Sequence, residues 1–172
     1  LPPFSFWRSV SSKSFKTAKT KRRSFHMLVK DVMTRDVHCA LRETPLREVA
    51  RLMVQADCGE IPVLESSETP TLVGVITDRD IVTRAVAQGV DVGACTAERA
   101  MTRNVVCVRA DADIEEGARL MSENQIRRVP VVDDAYHVLG ILSLADLGRM
   151  TDPRMVGQAV HDISMPEAPR GV

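Results

Sequence analysis

Aromatic side chains are scarce: one tryptophan, one tyrosine and four phenylalanines in 172 residues, and all but Tyr136 precede residue 26. The rest of the chain therefore offers no row of rings on which single-stranded bases would stack. Apolar runs are short, as in Leu72-Val73-Gly74-Val75-Ile76, far below the ~20 residues of a membrane-spanning helix. Cys39, Cys58, Cys95 and Cys107 contain no C-x-x-C pair, and no pair of histidines completes a zinc pattern. Such usage fits structural thiols in a reducing, cytoplasmic compartment, with no metal site. His38, His137 and His161 have no partner spacing for catalysis. With no nucleophile, base and orienting group set out along the chain, an enzyme is the last class to expect.

Net charge is lacking too, but only as a total. Lys and Arg number 23, as do Asp and Glu. Residues 1–26 hold seven basic residues and no acid, which leaves 16 basic against 23 acidic residues in the remainder, a net of −7. The two stretches are different kinds of chain. The first is basic, Ser-rich and acid-free, and reads as a disordered arm or as translated sequence ahead of a start at Met27. A transit peptide, which would make the location organellar, is one alternative; a nucleic-acid arm is another. Outside residues 1–26 no nucleic-acid contact is expected, and nowhere a membrane contact.

What is abundant is internal repetition. Shifting the chain by 68 residues lays Met33-Thr34-Arg35 on Met101-Thr102-Arg103, Ala50-Arg51-Leu52-Met53 on Ala118-Arg119-Leu120-Met121, and Pro62-Val63 on Pro130-Val131. Twelve of the 31 positions from 33 to 63 are identical without a gap. After a two-residue deletion, Gly74 meets Gly140 and Asp80 meets Asp146. The organisation expected is an arm (1–26), a first repeat (27–90), a second repeat (91–150) and a tail with a short helix (151–172).

Each repeat predicts β-α-β-β-α. A strand covers Val37 to Leu41, then Val105 to Val108. A helix follows, opened in the first copy by Thr44 as N-cap and Pro45 at the first helical position. Its apolar stripe is Leu46, Val49, Ala50 and Met53, repeated as Ile114, Gly117, Ala118 and Met121. Two strands come next, around Pro62 and Pro130 and then up to Ile76 and Leu142; a proline inside a strand suggests an edge or a strand start. A second helix starts near Thr77 and Ser143. One such unit is marginal alone, so the fold class expected is mixed α/β, two units packed as a pseudo-two-fold pair with clefts between them.

The pattern shared by Gly74 to Asp80 and Gly140 to Asp146 is Gly, two aliphatics, a hydroxyl residue, two variable positions and Asp. A hydroxyl at a helix start can meet a phosphate oxygen beside free backbone N–H groups. The carboxylate one turn on can accept hydrogen bonds from a ribose diol. The same spacing also makes a helix cap that needs no ligand.

These motifs, together with Asp31-Val32-Met33-Thr34, Gly59-Glu60-Ile61-Pro62-Val63 and Ile126-Arg127-Arg128-Val129-Pro130-Val131, resemble the tandem cystathionine-β-synthase (CBS) domain pair, or Bateman module. The resemblance covers about residues 27–150, and Thr77-Asp78-Arg79-Asp80-Ile81-Val82 is similar to the stretch in small stand-alone bacterial pairs. It implies a regulatory module that binds an adenosine-containing ligand (AMP, ADP, ATP or S-adenosylmethionine), needs no cofactor and forms a homodimer regulating an unnamed protein. The hydroxyl and ribose-binding roles would fall to Thr77 and Asp80 in one cleft, and to Ser143 and Asp146 in the other.

The two copies differ where Gly59-Glu60 faces Arg127-Arg128. Guanidinium groups suit phosphate, which favours the second cleft; Arg79 would compensate in the first. Without aromatics, Val105, Val106 and Val129 would have to enclose an adenine. A ligand-free dimeric scaffold remains the alternative. Cys39 and Cys107, at equivalent positions, are buried apolar residues or a redox pair across the pseudo-axis.

Overall fold

The computed structural model describes residues 27–150 and 153–164; the readings made for residues 1–26 and for the end of the tail lie outside them. The first three-stranded sheet contains β1 (Ala40–Leu41), β2 (Glu60–Leu64) and β3 (Leu72–Thr77), with β2 in the middle. The second contains β4 (Val108–Arg109), β5 (Arg128–Val132) and β6 (Val138–Ser143), with β5 in the middle. In both, the short first strand runs parallel to the middle one and the last runs antiparallel. The helices are α1 (Val29–Val32), α2 (Leu46–Gln55), α3 (Asp78–Arg84), α4 (Ala97–Ala100), α5 (Ile114–Asn124), α6 (Leu144–Met150) and α7 (Pro153–Ser164).

The long helices bury the stripes read from the sequence. Leu46, Val49 and Met53 enter one core; Ile114, Ala118 and Met121 enter the other. Both helices end in the same way. Asp57 and Gln125, equivalent under the 68-residue shift, take left-handed backbone at φ 46° and 54°. Cys58 and Ile126 then donate their N–H groups to the carbonyls of Met53 and Met121, each at 3.0 Å, the closing bond of a Schellman turn.

The cores do not follow the repeat boundaries. Val29, fully buried, belongs with Met33 to the core of the second sheet, whereas Ala97, Ala100 and Met101 belong to the core of the first. Each leading segment crosses to the other repeat. Thr34 exchanges two backbone hydrogen bonds with Ile141 of β6, both 2.9 Å, and Thr102 exchanges two with Val75 of β3, at 2.8 and 3.0 Å. Further reciprocal bridges join Leu28 to Asp113 and Pro45 to Thr96, and Thr71 meets His137 on the pseudo-axis. The result is a pseudo-two-fold pair clasped by exchanged segments, each held by a two-bond bridge.

The exchange corrects three local expectations. β1 and β4 are two residues long because the residues before them leave the ladder to cross over. Pro62 and Pro130 sit in the middle strands, not at edges. Their partners Val75 and Ile141 direct N–H and C=O away, to Thr102 and Thr34, so no N–H is required opposite them. On the other side, β1 and β4 pair only from Val63 and Val131 onward. Finally, Thr44 does not cap α2: its Oγ1 accepts from Leu41 N at 2.9 Å, and Pro45 holds the N-cap position.

Candidate functional site

The repeated hydroxyl and carboxylate stand where a strand runs into a short helix, and in each copy they close on one another. Thr77 donates from its backbone N and from Oγ1 to Asp80 Oδ2, at 2.9 and 2.8 Å, and Asp80 N donates back to Thr77 Oγ1 at 3.1 Å. Ser143 and Asp146 repeat this at 2.9, 2.6 and 3.2 Å. These are capping boxes with Asp in the place usually held by Glu or Gln. They also use up the helix-start donors. Asp78 N donates to Gly59 O at 3.1 Å and Leu144 N to Arg127 O at 3.0 Å. The free N–H groups expected to receive a phosphate are largely engaged within the chain.

The remaining oxygen of each carboxylate meets an arginine that the sequence did not single out. In the first copy it is Arg84, not Arg79, that reaches Asp80 Oδ1, at 3.1 Å; Arg79 is exposed on α3. Arg84 also donates to Ala100 O at 2.7 Å and to Thr102 Oγ1 at 3.0 Å, tying Asp80 to the segment that arrives from the other repeat. In the second copy Arg149 pairs with Asp146 Oδ1; its side chain is 70% exposed while that of Asp146 is 5% exposed. The first carboxylate is therefore locked by a three-contact arginine, the second by an arginine with solvent around it.

Ser143, Asp146 and Arg128 share a cavity of about 180 Å³ between the repeats. Its opposite wall comes from the first repeat: Thr34, Asp36, Val37 and His38 from the crossing segment, and Ala56, Cys58 and Glu60 from the turn after α2 into β2. Arg127, Val105, Val106 and Val129 do not line this cavity. Arg127 is exposed and Val129 is fully buried in the second core. Val105 and Val106 are the counterparts of Val37 and His38 under the 68-residue shift, and Val106 packs against the second core. The repeated Met-Thr-Arg before each β1 and β4 was the signal that could have pointed to Val37 and His38.

Glu60 and Arg128 are likewise equivalent, each the first residue of a middle strand, paired with Thr77 and Ser143. Glu60 Oε1 is buried and accepts no hydrogen bond from the described residues. Burial raises its carboxyl from the usual 4.5 to about 7, with Asp80 adding to the rise and Arg128 opposing it. Cys39 and Cys107 are free thiols. Burial pushes Cys39 up to about 11 and Cys107 upward, opposite to what a reactive thiolate needs. Among the described residues no group of three His, Cys, Asp or Glu side chains is placed to hold a metal ion, and no helix is long and apolar enough to cross a membrane.

Two β-α-β-β-α units that exchange strands around a pair of equivalent hydroxyl–carboxylate caps define a tandem-repeat domain pair. The chain belongs to the CBS domain family, whose model matches residues 29–87 and 97–149. It is 36% identical over 137 residues to the CBS domain-containing protein YhcV of Bacillus subtilis, covering 79% of this chain and 94% of the relative. The crystal structure of Hypoxic Response Protein I with two coordinated zinc ions superposes with a TM-score of 0.67 at 32% identity, over 73% of this chain and all of the other. The CBS domain pair of protein MJ0100, solved with 5′-methylthioadenosine and S-adenosyl-L-methionine, gives 0.63 at 33% identity, over 72% of this chain and 94% of that one.

Proposed function

We propose that this protein is a regulatory module, not an enzyme, which binds an adenosine-containing ligand in the cleft of Ser143, Asp146 and Arg128. The observation that carries the reading is the meeting of these three groups in one cavity with apolar walls at Val37, Ala56 and Ile141. In this reading Asp146 gives up the exposed Arg149 to hold a ribose diol, and the aliphatic walls enclose the base. The Thr77–Asp80 site, held by Arg84, serves as a structural cap. Because the wall opposite Ser143 comes from the other repeat, a bound ligand bridges the halves. Its preference for one packing of the halves is what would be passed on to a partner protein.

A ligand at 100 times its dissociation constant is expected to stabilise the fold by about 2.7 kcal/mol, or roughly 5–10 °C in melting temperature. Asp146→Asn should remove most of that gain and Asp80→Asn little of it. Differential scanning fluorimetry with AMP, ADP, ATP, 5′-methylthioadenosine and S-adenosylmethionine measures both. Flat melting curves across the panel, with a partner captured regardless, would favour the ligand-free scaffold.

The same reading includes self-association in the cytoplasm. The helix face of the second repeat is covered by α7, which packs on α5 and α6. The corresponding α2–α3 face leaves Val54 82% and Val82 55% exposed. Sedimentation should show a dimer that Val54→Asp converts to monomer; an unchanged sedimentation coefficient would move the interface elsewhere.

A further inference from the structure

We propose that Glu60 is a specificity-determining residue of the cleft, selecting ligands that bring a positive charge or a hydrogen-bond donor to its carboxyl and rejecting phosphoryl groups. The inference rests on the adenosyl reading above and narrows its ligand class. Three observations carry it. Glu60 lines the same cavity as Ser143, Asp146 and Arg128, yet its Oε1 is buried with no donor from the described residues. A buried acceptor without a partner is a place where a ligand donor gains more than it would elsewhere. Once Asp146 has given up Arg149, the walls hold three carboxyl groups, Asp36, Glu60 and Asp146, against the single guanidinium of Arg128, so a ligand rich in negative charge enters an unfavourable field. And the N–H groups of Ser143, Leu144 and Asp146, which would otherwise face a phosphate, are engaged by Asp146, Arg127 and Ser143.

The charged and titratable groups around Glu60 are Asp80 and Arg128, which act on it directly, and Asp36, His38, Cys58 and Asp146 on the same cavity. Near neutral pH its carboxyl is shared between the protonated and ionised forms. A cationic ligand favours the ionised form, so its binding should release a proton to the buffer. A role in folding alone would not produce that release.

Isothermal titration calorimetry at pH 7, in two buffers of different ionisation enthalpy, tests the proposal with three probes. S-adenosylmethionine is cationic at its sulfonium, 5′-methylthioadenosine is the neutral counterpart, and AMP carries phosphate. The native protein should bind S-adenosylmethionine about tenfold more tightly than AMP, with proton release. Glu60→Gln, close to isosteric, should bring that ratio to about one and abolish the release, while 5′-methylthioadenosine affinity changes less than about threefold. Arg128→Gln, a second variant, should weaken AMP without weakening S-adenosylmethionine. A native preference for AMP, or a ratio that Glu60→Gln leaves within about threefold of its native value, overturns the role of Glu60 while leaving the adenosyl site standing. If none of the three probes binds the native protein, the adenosyl reading falls and this inference with it.

Discussion

Replacing Gly140 by valine is expected to destabilise the protein by about 3 kcal/mol, at the upper end of the usual cost of overpacking. The reason is the strand exchange. A Cβ on Gly140 would lie 2.6 Å from the Thr34 carbonyl oxygen and 2.8 Å from Met33 Sδ. The sulfur can swing aside, but the carbonyl belongs to backbone that is hydrogen-bonded to Ile141 on both its groups. Relief therefore requires the crossing segment to lift off, taking Val29 and Met33 out of the second core. Gly74 makes a graded comparison. There the close neighbour is Met101 Sδ at 2.5 Å, and the Thr102 carbonyl stands back at 3.1 Å, so Gly74→Ala should cost less than Gly140→Ala. Gly157, in α7 with nothing within 4 Å of a Cβ, should show the opposite sign, a gain of up to about 1 kcal/mol on substitution by alanine. Urea unfolding of the set measures all three. Equal effects at Gly74 and Gly140, or a change below about 0.5 kcal/mol at Gly140→Val, would mean that the clasp is not what these glycines serve.

Glu60→Gln is expected to make the protein more stable at pH 8 by at most about 3 kcal/mol, and to leave it nearly unchanged at about pH 4. The carboxyl takes up its proton at about pH 7 in the folded protein, against 4.5 ordinarily. Between those values the folded state binds more protons than the unfolded chain. The native protein therefore loses stability as pH rises from 4.5 to 7 and keeps the full penalty above that, whereas glutamine has nothing to ionise. Chemical unfolding of both proteins at intervals from about pH 4 to about pH 8 checks the sign. A difference independent of pH would show that the carboxyl is not held near 7. Saturation with a cationic ligand should shrink the difference at pH 8, because the ligand supplies what the buried oxygen lacks.

Much of the fold was legible in the sequence because it is local and written twice. The stripes Leu46-Val49-Met53 and Ile114-Ala118-Met121 have helical spacing, and the motif from glycine to aspartate marks a strand running into a capped helix. The prolines misled for a physical reason. Pro62 and Pro130 break the rule against proline in a middle strand only if the neighbouring strand needs their N–H, and Val75 and Ile141 spend their hydrogen bonds on the crossing segments instead. The candidate site was legible in part. Ser143, Asp146 and Arg128 are brought into one cavity, and the charge contrast between Glu60 and Arg128 could be read by aligning the repeats. Arg84 and Arg149 stand four and three residues after Asp80 and Asp146, a helix-pair spacing that could have been read; what the spacing does not carry is that Arg84 also reaches Ala100 O and Thr102 Oγ1 from the other repeat.

By itself, the sequence determined that this chain is a duplicated β-α-β-β-α unit, acidic outside its first 26 residues, with a hydroxyl–carboxylate cap in each copy. Periodicity, capping and duplication are properties of residues close together along the chain, so they survive without coordinates. Only the tertiary structure decided which repeat completes which cleft. Thr34 pairs with Ile141 of β6, and the residues that follow it bring Val37 and His38 to the cavity that Ser143 lines. That choice is made by backbone hydrogen bonds and core burial between residues as far apart in the chain as Thr34 and Ile141, and no local pattern encodes it.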